Sequence, residues 1–206
     1  MEIEKKTQGP YEADSEKLKL TVVIGSVREG RFGPVPAQWF REQAELHGRF
    51  EVEVVDLADI ELPGELPAVP PAMDPDPARP AGMEPLTRKL AEADAVVVVT
   101  PEYNRSFPAA LKQAIDWHFT QWQRKAVGFV GYSGGTGGVL AIEQLRQVFG
   151  ELWAHTVREY VSFPRYYLHF GADGSWQVPE EASGAAKLML DELDWWAGAL
   201  KTAREG

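Results

Sequence analysis

Three short stretches concentrate the side chains that could do chemistry, and they are suited to holding an anion and a planar ring rather than to acid–base catalysis. The first, Gly25-Ser26-Val27-Arg28-Glu29-Gly30-Arg31-Phe32-Gly33-Pro34, combines a hydroxyl, two guanidinium groups and a glycine-rich backbone. A helix starting at Pro34 would add free N–H groups and the positive end of its dipole, which favour an anion such as phosphate. The second, Thr100-Pro101-Glu102-Tyr103-Asn104-Arg105-Ser106-Phe107-Pro108, brings a flat aromatic side chain together with Asn104, Ser106 and amides constrained by two prolines. A planar heteroaromatic ring needs that mixture of an apolar face and in-plane polar atoms. The third, Gly128-Phe129-Val130-Gly131-Tyr132-Ser133-Gly134-Gly135-Thr136-Gly137-Gly138, has four glycines within five positions, so its backbone can approach a ligand and point N–H groups at it. Each stretch also has a plainer use: a strand-to-helix turn with two surface arginines, a turn whose Ser106 caps the next helix, and a flexible connection.

The elements that must position these stretches follow from hydrophobic pattern. Short β-branched runs at 20–24, 50–55, 95–100, 126–131 and 157–163 predict five strands. Helix-period stretches at 34–46, 84–93, 108–119 and 138–149 separate them, implying βαβ crossovers in a doubly wound parallel sheet with helices on both faces. In such a sheet ligands sit outside the carboxyl ends of the strands, so the loops after strands one, three and four surround one crevice. A last amphipathic helix is expected over 183–201, with Met189, Leu193, Trp196, Ala197 and Leu200 inward and Trp195 outward. Residues 1–17 lack periodicity and are expected to form a disordered leader ahead of a single domain, 18–206. The segment 57–85 breaks the rhythm, with seven prolines between Leu57 and Gly82; it is expected to be an elaborated surface loop, with a lid or oligomer arm as the other use.

Composition narrows the chemistry. There is no cysteine, which removes disulfides, thiolate metal sites and Cys nucleophiles, so redox chemistry would need a bound cofactor. His47, His118, His155 and His169 show no metal-ligand spacing, and no metal is expected. His118, near the end of the helix after the second stretch, is expected to be a helix C-terminal cation or a subunit contact. The net charge of −10 argues against nucleic acid and anionic membrane surfaces. The longest purely apolar run, 95–99, is too short for a bilayer span, and the polar amino-terminal residues predict a cytoplasmic protein. The acidity is uneven: residues 57–86 carry six acids and one base, whereas residues 24–34 carry two bases and one acid. Nothing in the charge therefore opposes a single phosphorylated ligand at the first stretch. Neither G-x-G-x-x-G after the first strand nor G-x-x-x-x-G-K-[ST] is present, which disfavours a Rossmann dehydrogenase or a P-loop hydrolase.

The set Gly-Ser-x-Arg after strand one, Pro-Glu-Tyr-Asn after strand three and Gly-x-Ser-Gly-Gly-x-Gly-Gly after strand four resembles the NAD(P)H-dependent FMN reductase family. Its members are flavodoxin-like flavoproteins that include quinone, azo-dye and chromate reductases, and the likeness runs from about residue 18 to 163. The resemblance implies strand order 2-1-3-4-5, bound FMN, NAD(P)H as cosubstrate and a quinone, free flavin or similar small-molecule acceptor. It also implies a homodimer built through the helices after strands three and four, or a tetramer. Ser26 and Arg28 would bind the FMN phosphate. Pro101, Glu102, Tyr103 and Asn104 would line the isoalloxazine and ribityl groups, and Ser133, Gly134 and Gly135 would approach the ring edge. Arg31, Phe32, Gly33 and Ser106 complete the candidate set. Arg31 and Gly33 depart from the pattern: many members have a second Ser or Thr at the first position and often Asn at the second. No catalytic acid or base is expected, because the cofactor carries the chemistry. A flavodoxin-type FMN electron carrier without NAD(P)H oxidation is the alternative, and a flavin-free binding protein a third.

Overall fold

The computed structural model describes residues 16–74 and 77–206. All but the last two residues of the expected leader lie outside the described residues.

Four central strands form where the β-branched runs predict them: β1 (Leu18–Ile24), β2 (Phe50–Asp56), β3 (Ala95–Pro101) and β4 (Ala126–Ser133). They pair in parallel in the order β2-β1-β3-β4. Every residue of β3 is buried, because helices cover both faces. Helices α1 (Pro34–His47) and α5 (Glu180–Glu205) close one face around Phe40, Val97, Met189 and Leu193. Helices α2 (Glu84–Glu92), α3 (Ala109–Asp116) and α4 (Val139–Glu151) close the other around Val98, Leu111, Phe129 and Phe149. Each such large side chain, fully buried, contributes about 1.5–3 kcal/mol, which drives the two-layer closure.

The fifth strand departs from expectation. It is two short pieces, β5 (His155–Thr156) and β6 (Val161–Pro164), both paired to β4, which makes six strands rather than five. Side chains replace the ladder between them. Arg146 of α4 donates to the carbonyls of Val157 and Arg158, and Glu192 of α5 accepts from the amides of Arg158 and Glu159.

Helix α3 stops at Asp116 rather than near 119, because side chains take its last carbonyls. His118 Nδ1 donates to Ala114 at 2.7 Å and Trp122 Nε1 to Ile115 at 3.2 Å. The expected cationic His118 is therefore corrected: it is 1% exposed, and burial pulls its pKa down to about 4. Helix α5 is longer than expected at both ends; Met189, Leu193 and Ala197 are buried as its pattern predicts, and Trp195 is 43% exposed.

The proline-rich segment holds single turns of 3-10 helix at Leu57–Asp59 and Ala81–Met83, joined where the Glu61 amide meets the Gly82 carbonyl. Leu57 and Met83 anchor it, while Leu66, Val69 and Met73 are exposed.

Candidate functional site

The β1–α1 loop begins where the Gly25 amide donates to the Val99 carbonyl at 2.9 Å. Ser26 is wholly buried, and its hydroxyl meets the Tyr103 hydroxyl at 2.8 Å, linking the first stretch to the second. Val27 to Gly30 are exposed, and Arg28 among them pairs with no carboxylate among the described residues. Gly33 caps α1 without a side chain and Pro34 fills its first position, so the helix's amino end presents backbone and dipole rather than a capping carboxylate.

Arg31 and Phe32, both candidates for ligand contact, face inward. Arg31 Nη2 pairs with Asp56 Oδ2 at 2.5 Å and Nη1 donates to the Ser26 carbonyl at 3.2 Å. The guanidinium is thus tied to the end of β2, leaving Nε buried without a partner among the described residues. Phe32 stacks on Tyr166 at 4.3 Å and meets Tyr132 and Trp176 edge-on. Its ring is buried in this aromatic cluster.

After β3, Tyr103 and Ser106 exchange backbone hydrogen bonds of 2.8 and 3.0 Å across Asn104 and Arg105, both left-handed with φ of 50° and 68°. Two positive φ values define a tight turn of the I′ kind, which Asn tolerates well. Helix α4 holds this turn: Gln144 accepts from the Ser106 hydroxyl at 2.7 Å and donates to the Arg105 carbonyl at 2.8 Å. Pro101 is buried at the end of β3, and Tyr103 is 37% exposed. Glu102 reaches sideways, accepting from Thr136 Oγ1 at 2.5 Å and from the Leu140 amide at 3.1 Å. It ties the second stretch to the third and places a carboxylate at the first turn of α4, where the dipole favours it.

In the β4–α4 loop, Ser133 Oγ accepts from the Gly137 amide at 2.8 Å and the Gly135 amide at 3.3 Å. Ser133 therefore shapes the loop with its hydroxyl. Gly138, at φ 91°, runs so close beneath β4 that a Cβ there would sit 2.7 Å from the Gly131 Cα. Gly134 and Gly135 are exposed, and a Cβ on Gly135 would meet nothing within 4 Å, so this face of the loop is open. Tyr167, in the turn Tyr166–His169 that follows β6, stands 3.7 Å from the Cβ position of Gly134 and borders that opening.

The Tyr132 side chain runs from β4 toward the first loop. Burial, reinforced by Tyr103, holds its hydroxyl above the usual tyrosine range. Ser26 stands near enough to offset part of that rise, yet its hydrogen bond goes to Tyr103, and Tyr132 Oη has no partner of good geometry.

The three stretches are therefore brought together through Ser26–Tyr103 and Glu102–Thr136. Sequence reasoning missed Asp56, Thr136, Gln144, Tyr167 and the side chain of Tyr132. Asp56 had a signal: strand order 2-1-3 puts the end of β2 beside the first loop. The others depend on tertiary packing and had none.

A doubly wound parallel sheet whose loops meet at the carboxyl ends of β1, β3 and β4 defines the flavodoxin-like class of α/β proteins. The chain belongs to the NADPH-dependent FMN reductase family, whose model matches residues 18–167. It is 37% identical to an NAD(P)H-dependent FMN reductase of Schizosaccharomyces pombe over 65% of this chain and 66% of that one. It is 37% identical to a quinone reductase of Escherichia coli over 50% of this chain and 51% of that one. The match thus spans about half to two thirds of these curated relatives. A flavoenzyme NAD(P)H:(acceptor) oxidoreductase of Paracoccus denitrificans superposes with a TM-score of 0.65 at 25% identity, covering 88% of this chain and 98% of that one.

Proposed function

We propose that this protein is an FMN-dependent oxidoreductase that takes a hydride from NAD(P)H and delivers electrons to a quinone, free flavin or similar acceptor. The observation that carries this reading is the convergence of hydroxyls, open glycine backbone and an uncompensated Arg28 on one crevice. The donor set fits a phosphorylated cofactor: Arg31 Nε and Tyr132 Oη are buried donors without a protein acceptor, and such vacancies cost about 1–3 kcal/mol each unless something fills them. FMN, when bound, supplies the ring that accepts and releases the hydride.

The chain's own residues do the placing. Ser26, Arg28 and the amino end of α1 hold the phosphate. Tyr103 and the turn after it border the ring and ribityl chain, with Glu102 and Gln144 keeping that turn in place from α4. The Ser133, Gly134 and Gly135 segment would approach the ring edge, with the Gly135 amide held by Ser133 Oγ and the exposed Gly134 offering its N–H to developing negative charge. Residues 18–206 act as one unit, in the cytoplasm, as a homodimer through α3 and α4 or a higher assembly. No helix among the described residues is long and apolar enough to cross a membrane.

The test is NADH and NADPH oxidation by purified, FMN-loaded protein with benzoquinone as acceptor. Turnover with either nucleotide is expected. Tight FMN binding without nucleotide oxidation would move the protein to the electron-carrier class. Sedimentation of the same sample checks the dimer.

A further inference from the structure

On the basis of the flavin site above, we propose that the Tyr132 hydroxyl donates directly to the cofactor's phosphate, standing in for the neutral side chain that position 33 lacks. Tyr132 is 3% exposed, and its Oη has no hydrogen-bond partner among the described residues. A hydroxyl held that way is costly unless an acceptor arrives. Its direction gives the acceptor's place: Oη lies 3.0 Å from where a Cβ on Gly33 would stand, at the amino end of α1. It occupies space that a side chain at position 33 would otherwise take.

A second buried donor in the same loop, Arg31 Nε, is equally without an acceptor. Donors without acceptors in or against the loop ahead of α1 suit an anion with several oxygens, and a phosphate has three to offer. Asp56 holds Arg31 in place and neutralises it, so the excess positive charge for a dianion comes from Arg28, whose field reaches the Tyr132 hydroxyl. Burial disfavours the ionised form of that hydroxyl, so it is a donor at neutral pH. Ser26 stands close to Tyr132, but its hydroxyl pairs with Tyr103 at 2.8 Å and makes no hydrogen bond of good geometry to Tyr132 Oη.

The experiment titrates cofactor-free protein with FMN and with riboflavin, followed by flavin fluorescence, for the parent chain, Tyr132→Phe and Arg28→Ala. The phosphate is the difference between the two ligands, so the ratio of their affinities reads the phosphate grip alone. Tyr132→Phe is expected to weaken FMN binding about tenfold or more, the effect of one hydrogen bond to a charged group, and to leave riboflavin unchanged. The melting temperature of the cofactor-free variant should equal or exceed the parent's, because the hydroxyl has no partner to lose.

An unchanged FMN-to-riboflavin ratio in Tyr132→Phe overturns the assignment, as does an equal loss of both flavins, which marks Tyr132 as structural. If Arg28→Ala loses the FMN preference while Tyr132→Phe keeps it, the flavin site stands and this assignment falls. A parent chain that binds neither flavin overturns the proposed function and this assignment with it.

Discussion

The two ends of the sheet use charge in opposite ways. At the amino end, Asp94 is 5% exposed and accepts from the Lys19 amide, Lys201 Nζ and Arg204 Nη2 at 3.0–3.1 Å. Beside it, Lys125 donates to the carbonyls of Leu90 and Ala91 at the end of α2, and Arg204 donates to the Arg124 carbonyl. Cations, carboxylate and helix end satisfy one another there, and α5 is locked down. At the carboxyl end, Arg28 pairs with no carboxylate and two buried donors lack acceptors among the described residues. The completed network holds α5 on the sheet, while the exposed Arg28 and the donors around the first loop leave partners for a ligand to supply.

That contrast can be broken most forcefully at the closed end. Asp94→Ala strands two cations over a buried site and is expected to cost about 3–5 kcal/mol, lowering the melting temperature by roughly 6–20 °C. The FMN-to-riboflavin affinity ratio should not move. A changed ratio would mean the two ends are coupled.

A second sealed site is set by pH. His118 is neutral in the fold, its pKa lowered from 6.5 to about 4 chiefly by burial, opposed by its bond to the Ala114 carbonyl and aided by the charge of Arg79. Its Nδ1 proton goes to Ala114, so Nε2 accepts from Thr87 at 2.9 Å. Between pH 6.5 and 4 the unfolded chain binds a proton that the folded chain refuses. Stability from this group is fully present above pH 6.5 and falls as the pH drops toward 4, by up to about 3 kcal/mol. Denaturation midpoints at pH 7.5 and 4.5 check this, and His118→Gln should show a shallower decline than the parent.

At the open end the same measurements should invert. Arg28→Ala is expected to weaken FMN about tenfold or more by removing the unpaired cation, with riboflavin affinity intact and stability within about 0.5 kcal/mol of the parent. The smallest expected effect is Glu102→Gln, which weakens the bridge from the second stretch to Thr136 and α4. About 1 kcal/mol of stability should go with the helix-end charge, and flavin affinity should fall modestly for FMN and riboflavin alike.

Legibility followed the same divide between local and tertiary causes. Strands β1, β3 and β4 were readable because continuous apolar runs of this kind are buried on both faces, and the meeting of the three loops followed from where such sheets put them. The break in the edge strand was not, because it goes with side-chain contacts from Arg146 on the preceding helix and Glu192 on α5, which only the packed fold brings to it. The types of Arg31 and Phe32 suggested ligand contact, but their directions depend on Asp56 and on the aromatic residues that follow β6. Tyr132 was readable as part of a glycine-rich loop and unreadable as a side chain aimed at another loop. Glu102 likewise was legible as a motif residue, while its hold on the amino end of α4 required the fold.

The central claim is that this crevice binds FMN and exposes it to NAD(P)H. The direct measurement is the absorption band near about 450 nm of FMN-loaded protein, recorded without oxygen as NADPH or NADH is added and then benzoquinone. The account predicts that the band bleaches on nucleotide addition and returns with the quinone. Protein that acquires no such band, or whose band is unchanged by both nucleotides, would contradict it.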